Sequence, residues 1–199
     1  NNVLPISKEV KNILVTGRGT DNVGMQCGGW TISWQGNNGE VVKGGTSILN
    51  AVKNSVSKNT NVVTSSDGSS AENADVVIVV VGENPYAEGF GDDQDLTLSD
   101  EDIKTITKVK ASNKPFVVIL LSGRPMIINN ELEKANAFVA AWLPGSEGQG
   151  IADVLFGDVD FSGKLSFTWP KNIEQLPINV GDENYDPLFP YGYGLTYKK

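Results

Sequence analysis

The stretch Trp142-Leu143-Pro144-Gly145-Ser146-Glu147-Gly148-Gln149-Gly150 decides the fold class through what flanks it. Ala137-Phe138-Val139-Ala140-Ala141 leads in as an apolar run of strand length. Ile151-Ala152-Asp153-Val154-Leu155-Phe156 leads out with helical character. Three glycines, one serine and one carboxylate lie between them. In an open α/β sheet a strand-to-helix turn of this kind lies beyond a strand's carboxyl end, where ligands bind. Glu147 is therefore the first candidate residue.

The same alternation extends outward in both directions. Val76 to Val81 and Phe116 to Leu121 are unbroken apolar runs, the pattern of strands covered on both faces in a parallel sheet. Ile13-Leu14-Val15 ends at Gly17-Arg18-Gly19, and Asn61-Val62-Val63-Thr64 reads as a further short strand. Gly163 to Pro170 reads as a last strand, stopped by proline. Between these lie helical stripes: Ile48, Leu49, Val52 and Val56; Ile103, Ile106 and Val109 behind a Ser99 cap; and Ile127 to Lys134. Ala71 to Ala74 makes about one helical turn. The order predicts an α/β three-layer sandwich, a mostly parallel sheet of about six strands with helices on both faces. One domain spans 1–199, with an irregular Pro- and Tyr-rich tail over 171–199. Arg18, Glu83, Arg124 and Glu147 then share the carboxyl edge of the sheet.

Composition narrows the function. A net charge of -8 argues against a nucleic-acid surface, which needs clustered Lys and Arg. No apolar run approaches the roughly 20 residues of a membrane span. Cys27 is the only cysteine, so an intrachain disulfide is impossible and the compartment stays open. The absence of histidine removes Ser-His-Asp and Cys-His catalysis from this chain, and most zinc sites with them. No metal and no cofactor is expected. An uncharged sugar or another protein is the easier partner. The chain opens on Asn1-Asn2-Val3 without an initiator Met or an apolar leader, and reads as a mature or excised piece of something longer.

Three segments invite a site reading. Gly17-x-Gly19 lacks the third glycine and the immediate helix of a dinucleotide loop. The acids from Asp92 to Asp102 lack the glycine and spacing of a calcium loop, and suit the first turn of the Ser99 helix. The long irregular stretch from Thr20 to Gly44 carries Trp30, Trp34 and many glycines, the composition of a sugar-contacting loop. Loops longer than about 12–15 residues tend to be functional. Equally, both indoles suit a satellite core beneath the loop.

Glu147 has two readings on its residues alone. Ser146-Glu147-Gly148-Gln149 fits a capping box, with Ser146 as N-cap and Gln149 reaching back. Alternatively, Glu147 is a general acid/base, one of the two carboxylates that glycoside hydrolysis needs. Its predicted place at a helix N-terminus favours the ionised form, whereas an acid must hold its proton.

Five segments, in order, resemble the C-terminal domain of family 3 glycoside hydrolases, the exo-acting β-glucosidases and β-glucan exohydrolases. They are Gln26-Cys27-Gly28-Gly29-Trp30-Thr31-Ile32-Ser33-Trp34-Gln35-Gly36; Gly82-Glu83-Asn84-Pro85-Tyr86-Ala87-Glu88; Ser122-Gly123-Arg124-Pro125; Ala140 to Gly150; and Phe189-Pro190-Tyr191-Gly192-Tyr193-Gly194-Leu195. The resemblance implies that Glu147 is the catalytic acid/base and that Trp30 stacks on the sugar beside the scissile bond. It leaves Trp34 structural, and Glu83 and Arg124 positioning at most. It also implies a nucleophilic aspartate on a preceding (β/α)8 barrel domain that this sequence lacks, with retained anomeric configuration. The substrate implied is a β-glucoside or β-glucan oligosaccharide, and the isolated chain is expected to be inactive. The surface facing the barrel is expected to expose an aromatic patch around Trp30. The alternative is a non-catalytic carbohydrate-binding or docking module.

Overall fold

The structure, a computed structural model, describes residues 3–197. Five strands form one parallel sheet: β1 (Asn12–Thr16), β2 (Asn61–Ser65), β3 (Val76–Gly82), β4 (Phe116–Leu121) and β5 (Ala137–Trp142). Their spatial order is β2-β1-β3-β4-β5. The chain steps outward from β1 to β2, then returns past β1 and proceeds the other way through β3, β4 and β5. The direction reverses between β1 and β3, so the loops after those two strands part and leave a crevice at their carboxyl ends.

The strand runs divide by side-chain parity, as a pleated strand must. Ile13, Val15, Ile78, Val80, Ile119 and Leu121 face one layer, formed by α2 (Ile48–Ser55) and α5 (Gln149–Leu155). Leu14, Val77, Val79, Val81, Val118 and Leu120 face the other, which includes α3 (Asp100–Ala111). The short α4 (Asn129–Lys134) packs on α3. Ser47 and Ser99 cap α2 and α3, each accepting a bond from the backbone N–H three residues on.

Three sequence expectations change. The stretch from Thr20 to Gly44 is not wholly irregular, because α1 (Val23–Cys27) lies within it. Asn22 Oδ1 caps that helix through Met25 N at 3.0 Å and also takes Gly39 N at 2.7 Å, so one side chain closes both ends of the segment. The expected sixth strand, Gly163 to Pro170, does not join the sheet. Its backbone bonds to the tail instead, through Leu165 N to Tyr193 O and Trp169 N to Phe189 O. Trp169 plugs the α3-side core, donating its indole N–H to Met126 O at 2.7 Å. The third change is at the Glu147 turn, where the capping box does not form.

Candidate active site

The Glu147 turn begins with an irregularity in the strand before it. Leu120 pairs with Ala140 but Leu121 pairs with Trp142, so β5 bulges at Ala141. Trp142 then adopts φ 54, a left-handed conformation that a bulky residue rarely takes. Its ring packs 5.8 Å from Trp169 and 6.1 Å from Phe167, centroid to centroid. Beyond it the chain runs alongside Thr46. Thr46 N donates to Ser146 O at 2.8 Å and Gly148 N donates to Thr46 O at 3.0 Å, one bond on each side of Glu147. Gly148 is required by this approach: a Cβ there would stand 2.5 Å from Thr46 O.

The Glu147 side chain is exposed. Ser146 Oγ donates to Glu147 Oε1 at 3.1 Å, so the serine serves the carboxylate and not a helix N–H. Helix α5 starts two residues later, with Gly148 at its N-cap and no side-chain capping bond. Gln149 is committed elsewhere, its amide donating to Ser55 Oγ and Asp153 Oδ1 at 2.9 and 2.8 Å. These competing partners are why the capping box fails.

The Trp30 loop is joined to this turn through Gln26, a residue that sequence reasoning did not single out. It is wholly buried, and its side chain bonds to backbone on both sides of the gap. Gly28 lies against Leu143, whose Cδ1 is 2.7 Å from where a Cβ would be. Trp30 and Trp34 do not fill a satellite core: they are 69% and 50% exposed. Their ring centroids are 6.5 Å apart at 52°. Both indole N–H groups donate to Glu88 Oε2, at 3.1 Å from Trp30 and 2.8 Å from Trp34. These bonds, that of Trp34 first, hold the exposed Glu88 carboxyl below its ordinary pKa. Spacing carries no signal for Glu88, because it comes from a loop more than fifty residues away. Trp30 and Ile32 have φ 59 and 64, so backbone strain occurs in this loop as it does at Trp142.

The other carboxyl-edge residues form two closed groups at β1, β3 and β4. Arg18 donates to Asp102 at 2.7 and 3.1 Å, to Gly82 O at 2.7 Å and to Asn84 Oδ1 at 3.0 Å. Asp102 is 1% exposed, so it is an internal counterion for Arg18 as well as a first-turn acid of α3. Glu83 pairs with Arg124 at 2.7 Å and accepts the Tyr86 hydroxyl at 3.0 Å. The Arg124 guanidinium lies 4.5 Å from the Tyr86 ring centroid. Glu83 is thus neutralised by a cation and is not a free second carboxylate. A polar hollow of about 790 Å³ runs past Arg18, Glu83 and Arg124, but neither Glu147 nor Trp30 lines it. The structure therefore brings Arg18, Glu83 and Arg124 together and leaves Glu147 with the Gln26 and Thr46 segments. Among the described residues no group of three or more His, Cys, Asp or Glu could hold a metal ion. No helix there is long and apolar enough to cross a membrane.

The molecule so described is a parallel α/β sandwich presenting the exposed Glu147 carboxylate and a pair of tethered, exposed indoles. The family model for the glycosyl hydrolase family 3 C-terminal domain matches residues 1–197, and the chain belongs to that family. It is 34% identical to a lysosomal beta glucosidase of Dictyostelium discoideum, over 99% of this chain and 27% of that protein. It is 37% identical to a periplasmic beta-glucosidase of Salmonella typhimurium, over 64% of this chain and 20% of the other. Among solved structures it superposes on the exo-1,3/1,4-beta-glucanase ExoP of a Pseudoalteromonas species with a TM-score of 0.94 at 45% identity, covering 100% of this chain and 26% of that one. A beta-glucosidase from Listeria innocua gives 0.81 at 26% identity, over 99% of this chain and 31% of the other. The chain thus spans about a quarter to a third of the solved relatives it matches.

Proposed function

We propose that this chain supplies the general acid/base of a retaining, exo-acting β-glucosidase or β-glucan exohydrolase, and that Glu147 is that group. The observation that carries the reading is the state of its carboxylate. It is exposed on a backbone clamped on both sides, and among the described residues its one side-chain bond is to Ser146. A helix cap would be spent on backbone N–H groups. A carboxylate serving an ion pair would have a cation beside it, as Glu83 does.

In this reading the substrate is a β-glucoside or β-glucan oligosaccharide. An aspartate from a (β/α)8 barrel outside this sequence attacks the anomeric carbon. As that C–O bond forms, the bond to the leaving oxygen breaks and Glu147 gives that oxygen its proton. Water then attacks the anomeric carbon while Glu147 takes its proton, and the ester to aspartate breaks. The two carboxyl groups stand about 5–5.5 Å apart in retaining enzymes, so the barrel has to close over this turn. Exclusion of water and a second carboxylate are what keep an acid protonated, and both come from that closure. Trp30 offers its indole face to the sugar unit beside the scissile bond.

The test is Glu147→Gln in the full-length protein. It is expected to lower kcat/KM by about 10²–10⁴-fold for glucosides whose leaving group needs a proton. Dinitrophenyl β-glucoside, whose leaving group departs as an anion, is expected to be little affected. Equal losses on both substrates would refute the role. A sugar-binding module, the reading that the exposed Trp30–Trp34 pair would also serve, predicts binding lost in Trp30→Ala and no hydrolytic change in Glu147→Gln.

A further inference from the structure

Gln26 is fully buried, and nothing in the acid/base reading requires it. Its amide nitrogen donates to Thr46 O at 3.1 Å and to Gly145 O at 2.8 Å. Its amide oxygen accepts Ile48 N at 3.0 Å, one of the N–H groups left open at the start of α2. Its own carbonyl accepts Gly145 N at 2.9 Å. Gly145, two residues before Glu147, is thus held at both its N–H and its C=O by one residue.

That hold matters because of what Gly145 is. It has φ +67, and nothing lies within 4 Å of the position a Cβ would take, so packing does not restrain it. Glycine in such a place otherwise samples many conformations. The bonds to Gln26 remove that freedom from the residue leading into the turn. The other bonds, to Thr46 and Ile48, fix the strand of chain that brackets Glu147 on its far side. Gln26 also sits in α1, one turn before Trp30, so the same residue sets the sugar-facing loop against the carboxylate.

We infer that Gln26 is a positioning residue for the acid/base turn, fixing where Glu147 stands relative to the Trp30 loop. The inference rests on the acid/base reading of Glu147. A side chain that only held the fold together would, when lost, reduce the amount of active protein or its stability. A side chain that aims the acid would, when lost, selectively slow reactions that need the proton.

The experiment measures kcat/KM in the full-length protein for two substrates, a β-glucoside with an alkoxide leaving group and dinitrophenyl β-glucoside. Their ratio, taken on one preparation, is independent of how much protein is folded. Gln26→Met keeps the volume and removes all three side-chain bonds. It is expected to lower the value for the alkyl glucoside by about 10–100-fold, the cost of a displacement of roughly 1 Å, and to change the other by less than about 3-fold. Gln26→Glu keeps the acceptor for Ile48 N, replaces both donor bonds by repulsion, and is expected to shift the ratio in the same direction. It serves as the test where Gln26→Met does not fold. A wild-type ratio in these variants, alongside a lowered ratio in Glu147→Gln, overturns the role of Gln26 and leaves the acid/base reading standing. An unchanged ratio in Glu147→Gln itself overturns that reading, and the role of Gln26 with it.

Discussion

Three bulky residues stand on left-handed backbone beside the candidate site: Trp30, Ile32 and Trp142. Each such position costs about 1–3 kcal/mol and persists only where neighbours over-determine it. At Trp142 the neighbours are Trp169 and Phe167, and at Trp30 they are Trp34 O, which accepts its N–H, and Glu88. The two tryptophans of the loop are tethered to the same oxygen, and Trp34, expected to be structural, stands half exposed beside Trp30. Among the titratable groups, Tyr86 gives a clear pH dependence. Burial first, and then the charge of Glu83, push its hydroxyl up to about 12. The unfolded chain loses this proton near pH 10 and the folded protein keeps it. The resulting stability is present below about pH 10 and is lost as pH rises from about 10 to 12. Denaturant unfolding at about pH 9 and about pH 11 should therefore show lower stability at the higher value, with a smaller drop in Tyr86→Phe. Tyr197, also raised to about 12, keeps part of the drop in that variant. An identical drop in Tyr86→Phe would contradict the assignment.

At the scale of elements, the helix starts differ in a way that sequence patterns conceal. Ser99 and Ser146 each stand three residues before an acid or amide side chain, Asp102 and Gln149. Ser99 Oγ accepts Asp102 N at 3.2 Å and donates to Asp102 Oδ2 at 3.0 Å, whereas Ser146 Oγ donates forward to Glu147 Oε1 at 3.1 Å. Ser99→Ala should cost about 1 kcal/mol in unfolding free energy, the ordinary loss of an N-cap. Ser146→Ala should stay within about 0.5 kcal/mol. Equal losses in the two variants would show that Ser146 caps α5 after all. Among the strands, β5 is bulged and half-buried throughout, while β3 and β4 are buried at every position. The site therefore grows from a bulged edge strand, which can re-aim its end without disturbing the core.

At the scale of the molecule, Trp30, Ile32, Trp34 and Leu143 are all exposed, as are Tyr191 and Leu195 of the tail. Large exposed apolar groups of this kind mark a surface built to be covered. Trp30, Ile32 and Trp34 give the loop the exposed aromatic surface expected around Trp30, and the barrel domain is the cover we propose. The same reading separates the nucleophile from the acid. The purified 199-residue chain is accordingly expected not to turn over β-glucosides, and appreciable hydrolysis by it would defeat the two-domain reading.

The covered strands were legible from the sequence because Val76 to Val81 and Phe116 to Leu121 can only be buried on both faces. So were the Ile48 and Ser99 helices, since an apolar stripe, and at Ser99 a cap, are local patterns. The turn around Glu147, and the family it marks, were legible for the same reason. What the sequence by itself determined is thus what neighbours along the chain decide. The tertiary structure alone decided that five strands pair and the Trp169 segment turns to the tail, because strand pairing is a competition among distant backbones. It alone decided that Arg18 meets Asp102, that Glu88 gathers two indoles, and that Gln26 pins Gly145 across 119 residues. Hydrogen bonds of such span have no local signature. They exist only once the stacking of the sheet has brought the carboxyl ends of its strands together.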